Sequence, residues 1–273
     1  MEDLNISIIQ TDILWEKPQE NLNKLDNILA SDEFYNTSHK AAPDIIVLPE
    51  MFNTGFSMQP EKISDIFIVK TIEWMQLKAL QTKALIVGSI IFRESNKHFN
   101  RLICMSPEGT YKVYDKRHLF GLAQENMHYT AGVTKLITKV KNWKIRPLIC
   151  YDLRFPVWSK NILNNENDFD YDCLIYIANW PKNRYYIWKA LLIARAIENQ
   201  SFVIGVNRVG SDGYGVEYSG NSLIIDYAGK IIYEAEEGKE DIAFATFNYE
   251  NLYKFRKHYN FSPDWDKFKL LTV

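Results

Sequence analysis

Residues 44–50 read Asp44-Ile45-Ile46-Val47-Leu48-Pro49-Glu50, directly behind Pro43. Four consecutive apolar residues, three of them β-branched, predict a strand buried on both faces, as in a parallel sheet covered by helices. The run ends on a carboxylate. Two further apolar segments end in the same manner. Tyr111-Lys112-Val113-Tyr114-Asp115 leads into Lys116, and Ile145-Arg146-Pro147-Leu148-Ile149 leads into Cys150.

Around these segments, strand and helix signals alternate. Leu4–Gln10 reads as a strand, and residues 20–30 as a helix with Leu22, Leu25, Ile28 and Leu29 at helical spacing. Residues 72–80 read as helix and 84–92 as strand. Residues 101–105 and 111–114 flank Pro107-Glu108-Gly109 and predict a hairpin. Trp143–Ile149, residues 173–177 and residues 201–206 read as strands, and residues 188–200 as a helix burying Ala190, Leu191, Ala194 and Ile197. A second hairpin, residues 223–226 and 231–233, turns at Ala228-Gly229-Lys230. Residues 242–247 close the series. The two hairpins resemble one another, which points to two similar halves. With no linker or low-complexity run between them, the halves form one domain of α/β class with helices outside packed sheets. Residues 1–250 are expected to be that domain. Residues 251–273 are expected to be a tail packed on the body or on a second subunit.

Composition narrows the function classes. The chain has 273 residues, 47% hydrophobic and 24% charged, and a formal net charge of −2 with acids and bases interspersed. There is no basic footprint for nucleic acid or an anionic membrane, and no run of about 20 apolar residues that would span a bilayer. The first residues, Met1-Glu2-Asp3-Leu4-Asn5, lack the basic and apolar regions of a signal peptide. Three cysteines form neither a disulfide framework nor a metal-ligand spacing, which fits a reducing, cytoplasmic setting. No metal or cofactor is expected.

In open α/β sheets, ligands gather at the carboxyl ends of strands, so Glu50, Lys116 and Cys150 are candidates for one site. A free thiol, with a pKa of about 8.5, needs an adjacent base or cation to become nucleophilic at neutral pH. Glu50, if buried, would have its pKa raised toward the range useful for proton transfer. Lys116 and the backbone N–H of Tyr151 would stabilise an oxyanion. After Cys150, Tyr151-Asp152-Leu153-Arg154-Phe155-Pro156 predicts a sharp strand-to-helix turn, with Pro156 at a first helical position. Taken singly, each residue has an inert reading: Cys150 a small core residue, Glu50 a helix-terminal acid, Lys116 a surface lysine. Cys104 and Cys173 read as core. Pairing of Cys150 with His118 or His128 is a further possibility that spacing does not decide.

Six blocks make the chain resemble the nitrilase superfamily of carbon–nitrogen hydrolases, and within it the bacterial omega-amidase branch of YafV-like proteins. They are Leu48-Pro49-Glu50-Met51-Phe52 with Thr54-Gly55-Phe56; Tyr114-Asp115-Lys116-Arg117-His118-Leu119-Phe120; and Cys150 through Trp158. The others are Ala178-Asn179-Trp180-Pro181, Ala194 through Gln200, and Asn207 through Gly213. The resemblance spans about residues 4–247. It implies a four-layer α-β-β-α sandwich that dimerises, with Glu50 as general base, Cys150 as nucleophile and Lys116 as the oxyanion-stabilising third member. It implies that Glu125, on the loop after Lys116, positions that lysine and the substrate amide. It also implies hydrolysis, through a thioester, of the terminal amide of 2-oxo dicarboxylic acid monoamides such as 2-oxoglutaramate and 2-oxosuccinamate. Their carboxylate would meet Arg154, or Asn207 and Arg208, with Asn179 and Trp180 lining the pocket. Gly121 stands where relatives usually carry a larger residue, which bears on the shape of the pocket lid. Two other readings use the same residues differently: another amidase, carbamoylase or nitrilase of the superfamily, and a non-catalytic binding protein on the same fold.

Overall fold

The computed structural model describes residues 2–37, 42–163 and 168–271; Met1 and Val273, the outer ends of the expected domain and tail, lie outside them. The first half runs β1 (Leu4–Gln10), α1 (Pro18–Leu29), α2 (Asp32–Thr37), β2 (Ile45–Val47), α3 (Asp65–Thr82), β3 (Leu85–Glu94), β4 (Lys97–Met105) and β5 (Tyr111–Asp115). Then come α4 (Glu125–His128), β6 (Thr138–Val140), β7 (Trp143–Ile149), α5 (Pro156–Ser159), β8 (Cys173–Ala178), α6 (Tyr185–Asn199) and β9 (Phe202–Asn207). The chain continues through β10 (Val209–Ser211), β11 (Glu217–Ser219), β12 (Leu223–Ile225), β13 (Ile231–Glu234), β14 (Asp241–Phe247) and α7 (Tyr249–His258).

Two six-stranded sheets result, ordered β14-β1-β2-β3-β4-β5 and β6-β7-β8-β9-β12-β13. Each has an antiparallel edge strand, three parallel strands, and then an antiparallel hairpin. The repeat signalled by the two hairpins is therefore carried through the whole sheet. β14 arrives from the far end of the chain, pairing Leu4 with Phe247 and Gln10 with Asp241.

The alternation of strand side chains builds the layers. Ile45 and Val47 enter the core between the sheets, together with Ile145, Leu148 and Ile149. Ile46 and Leu48 point the other way, onto Leu22 and Leu25 of α1 and Met75 and Ala79 of α3. Burying each such side chain stabilises the fold by about 1.5–3 kcal/mol. On the second sheet, α6 packs so closely that a Cβ on Gly205 would lie 2.4 Å from Leu192, so glycine is required there. The buried face of α6 carries Trp188, Leu192, Arg195, Ala196 and Asn199. This corrects the face expected from the sequence, because Ile197 is exposed and Ala190 likewise. A helix apolar on nearly every side gives no single stripe from which to choose.

The helix α3 is twice as long as the predicted 72–80. Ser64 caps its start by accepting from the N–H of Ile66, and Lys83, at φ +56°, ends it. At the chain's end, α7 docks through Leu252 and Arg256. The Arg256 guanidinium bonds Asp172 at 2.7 Å, the carbonyl of Tyr171 at 3.0 Å and that of Gln200 at 2.9 Å.

Candidate active site

Four strand ends converge at the seam between the sheets. β2 delivers Glu50, β5 delivers Lys116, β7 delivers Cys150, and β8 delivers Asn179. Glu50, Lys116 and Glu125 have no solvent exposure at all. The Lys116 ammonium donates to Glu50 Oε1 at 2.9 Å and to both oxygens of Glu125 at 3.0 Å. Glu125 also accepts from the N–H of Phe120 at 2.6 Å. Burial alone would pull the lysine down, but Glu125 and Glu50 hold it above the usual lysine range, so it is a permanent cation. For Glu125 burial pushes the carboxyl up, Lys116 opposes, and Glu50 adds to the rise.

The backbone is strained at Cys150 and beside Glu50. Cys150 lies at φ +42° and Met51, next to Glu50, at φ +46°. Side chains other than glycine adopt this region only when the surroundings enforce it. Met51 is held by its N–H to Ser89 Oγ at 2.9 Å. Cys150 opens a 3-10 turn to Arg154 that leads, as expected, to Pro156 at the first position of α5. Asp152, fully buried, pins that turn. It accepts from the N–H of Ile149 (3.1 Å), from Tyr114 Oη (2.7 Å) and from the N–H of His118 (3.0 Å), and lies 2.7 Å from His118 Nδ1. His118 thus bonds Asp152, with its ring stacked on Phe155 at 3.8 Å. Burial pushes the Cys150 thiol well above its ordinary range; Glu50 adds to this, and Lys116 opposes it. At neutral pH the sulfur is a thiol. Its Sγ lies 3.9 Å from the carbonyl of Asn179. Tyr151 sits in the first turn of the 3-10 helix, where N–H groups have no preceding turn to bond to.

A cavity of about 580 Å³ opens in front of this cluster. Lys116, Cys150, Tyr151, Arg154, Asn179 and Trp180 all contribute to its wall. Asn207 and Arg208, expected beside them, do not. Asn207 holds the backbone of Trp180 from behind, accepting its N–H at 2.8 Å and donating to its carbonyl at 3.0 Å. Arg208 is fully buried. It bonds Asp12 at 2.7 Å and the carbonyls of Val209, Ile13 and Ser211 at 2.9–3.0 Å. It is a structural arginine under Tyr218, whose ring it faces at 4.9 Å.

Asn100 was not singled out by sequence. Its Nδ2 donates to Glu50 Oε1 at 2.7 Å and to Glu125 Oε1 at 3.3 Å. Residue 100 is in phase with Leu102 and Cys104 on β4, so period-2 alternation places a polar group on an inward face; that was the available signal.

The arrangement joins a neutral thiol, a buried carboxylate in contact with a fixed ammonium, and an adjoining cavity. Such a set can move a proton off sulfur and hold an oxyanion. Residues 5–257 match the carbon-nitrogen hydrolase family model. The chain is 42% identical over 270 residues, covering 99% of itself and all of the relative, to "Omega-amidase YafV" of Escherichia coli (strain K12). It is 36% identical to "2-oxoglutaramate amidase" of Bacillus subtilis (strain 168), over 86% of itself and 87% of that protein. A CN-hydrolase superfamily protein of Xanthomonas campestris, solved with an arsenic adduct in its active site, superposes with a TM-score of 0.91 at 37% identity, over 99% of this chain and 100% of that one.

Proposed function

Because the chain belongs to the carbon–nitrogen hydrolase family, we propose that it is an omega-amidase. It hydrolyses the terminal amide of 2-oxo dicarboxylic acid monoamides, such as 2-oxoglutaramate and 2-oxosuccinamate, to the 2-oxo acid and ammonia. The observation that carries the chemistry is the 2.9 Å contact of Lys116 with Glu50 beside a cavity-facing Cys150. The full-length relatives support the substrate class.

Since the thiol is neutral at rest, its proton must leave as sulfur attacks. Cys150 Sγ bonds the amide carbon while Glu50 takes the thiol proton. The carbonyl oxygen becomes an oxyanion, held by the Lys116 ammonium and the Tyr151 N–H. Glu50 returns the proton to nitrogen, the C–N bond breaks, and ammonia departs from a thioester. Water then adds to the thioester carbon and Glu50 accepts one of its protons. The C–S bond breaks, the proton returns to sulfur, and the 2-oxo acid leaves. Glu125 keeps Lys116 charged and aimed. Arg154, half-buried in the cavity wall with its guanidinium 5.1 Å from the Trp180 ring, meets the distal carboxylate. The sparse free thiols suit a reducing cytoplasm. Exposed apolar side chains on α6 and α7, including Tyr186, Ile197 and Tyr253, suit a homodimer.

The test is ammonia release from 2-oxoglutaramate by purified protein, beside glutamine, a simple aliphatic nitrile and the Cys150→Ala variant. Cys150-dependent turnover of the 2-oxo amide is the expected result. Turnover of the nitrile alone, or none with Cys150 still readily alkylated, overturns the substrate assignment.

A further inference from the structure

The cavity's charge is unbalanced. Its wall carries Lys116, Arg154, Arg184, His128 and Asp212. Lys116 is engaged by Glu50 and Glu125. Asp212 is also engaged: Oδ1 accepts from the N–H groups of Tyr214 and Val216 at 2.9 Å, and Oδ2 from Tyr218 Oη at 2.8 Å. That leaves two guanidiniums. Among the described residues, neither Arg154 nor Arg184 forms an ion pair. Both are half-buried, and each faces an aromatic ring instead: Arg154 that of Trp180 at 5.1 Å, Arg184 that of Phe120 at 5.5 Å. Ring faces orient a guanidinium without neutralising it. The backbone under Arg184 is fixed as well, since the Trp180 indole N–H donates to its carbonyl at 2.9 Å.

We propose that Arg184 is a specificity-determining residue, which with Arg154 forms a two-guanidinium cradle for the end of the substrate remote from the amide. This deepens, and rests on, the omega-amidase reading. A carboxylate flanked by a 2-oxo group offers acceptors only, and suits two donors that carry no anion of their own. A 2-amino acid amide such as glutamine would bring an ammonium into the same space. Asp212 in the cavity wall already accepts three hydrogen bonds, and both guanidiniums repel the ammonium. The cradle therefore recognises a carboxylate and rejects a 2-ammonium group.

The experiment measures kcat/KM for 2-oxoglutaramate, glutaramate (the same chain with no 2-substituent), glutamine and butyramide. The proteins are the wild type, Arg184→Met, Arg184→Lys and Arg154→Met. Arg184→Met should lower the ratio of 2-oxoglutaramate to butyramide about tenfold or more, the loss expected for one charge-assisted contact. It should also narrow the preference for 2-oxoglutaramate over glutamine, and Arg184→Lys should recover part of both ratios. In a readout free of turnover, more 2-oxoglutarate should be needed to protect Cys150 from iodoacetamide in Arg184→Met. Equal losses on butyramide and 2-oxoglutaramate, or unchanged ratios, overturn the proposal, as does a wild type that prefers butyramide to both carboxylates. A wild type that cleaves glutaramate but not 2-oxoglutaramate ends the omega-amidase reading, and the glutaramate-to-butyramide ratio still decides Arg184.

Discussion

Asn179, at the end of the second sheet's β8, grips Glu50, at the end of the first sheet's β2, at three points. Its N–H donates to Glu50 Oε2 at 2.8 Å, its side-chain Nδ2 to the Glu50 carbonyl at 2.7 Å, and Nδ2 again to Oε2 at 3.3 Å. The residues are 129 positions apart in the chain. One asparagine thus fixes the proposed base against the proposed nucleophile, whose thiol faces that asparagine's own carbonyl.

Asn179→Ala keeps the backbone bond and deletes the two from Nδ2. Stability should fall by about 1–2 kcal/mol, the cost of leaving a buried carbonyl without its donor, and kcat should fall about tenfold as Glu50 loosens. Urea unfolding and steady-state kinetics on 2-oxoglutaramate check the two parts separately.

The Cys150 thiol is pushed up by burial and then by Glu50, while Lys116 pulls it down. Alkylation of Cys150 by iodoacetamide should therefore rise with pH along a curve centred above that of an ordinary cysteine. Removing the anion in Glu50→Gln should move the curve to lower pH. Removing the cation in Lys116→Met should move it higher. Rates followed by mass spectrometry across pH decide this; shifts of opposite sign would mean that the electrostatics are assigned backwards.

Asn100 bridges the two carboxylates through the same oxygens, Glu50 Oε1 and Glu125 Oε1, that Lys116 bonds. Asn100→Asp would put a third acid against Glu50 and Glu125 with one ammonium among them. Like charges packed this closely cannot all ionise. We expect kcat for 2-oxoglutaramate to drop about 10²-fold with the far-ultraviolet circular dichroism unchanged; near-normal kcat would rule out a positioning role for Asn100.

Arg256 on α7 is paired with fully buried Asp172. Arg256→Ala strands that carboxylate and should cost about 3–5 kcal/mol. The double variant Arg256→Met with Asp172→Asn should recover part of the loss. Thermal melting of the three proteins measures it.

The fold was legible where burial is two-sided. Ile45 to Leu48 and Cys173 to Ala178 are apolar without interruption, and Trp143 to Ile149 is buried at all but one position despite Lys144 and Arg146. The meeting of Glu50, Lys116 and Cys150 was legible because each stands just past a strand signal, although the strand before Lys116 is mostly exposed. Side-chain direction was less so. Asn207 ends β9 and Arg208 follows it, but nothing local tells that neither lines the cavity, and Arg208 is claimed by Asp12 from 196 residues away. Likewise Arg184 sits in a polar turn with no periodic signal; only the fold brings it to the wall near Cys150. Periodicity also breaks between residues 92 and 101. There β3 and β4 run on to a two-residue turn at Ser95 and Asn96, with φ of +50° and +60°, a turn most often written with glycine.

The pairing of β1 with β14 has a consequence for how the protein is made. β1 is translated well before β14, its edge partner, which is encoded some 230 residues later. At about 5–20 residues per second, the strand waits on the order of tens of seconds with a bare row of amide and carbonyl groups. Such an edge is a template for unwanted pairing, and it stays open until β14 has been made. β14, the last strand of the described residues, is the one that ends this exposure.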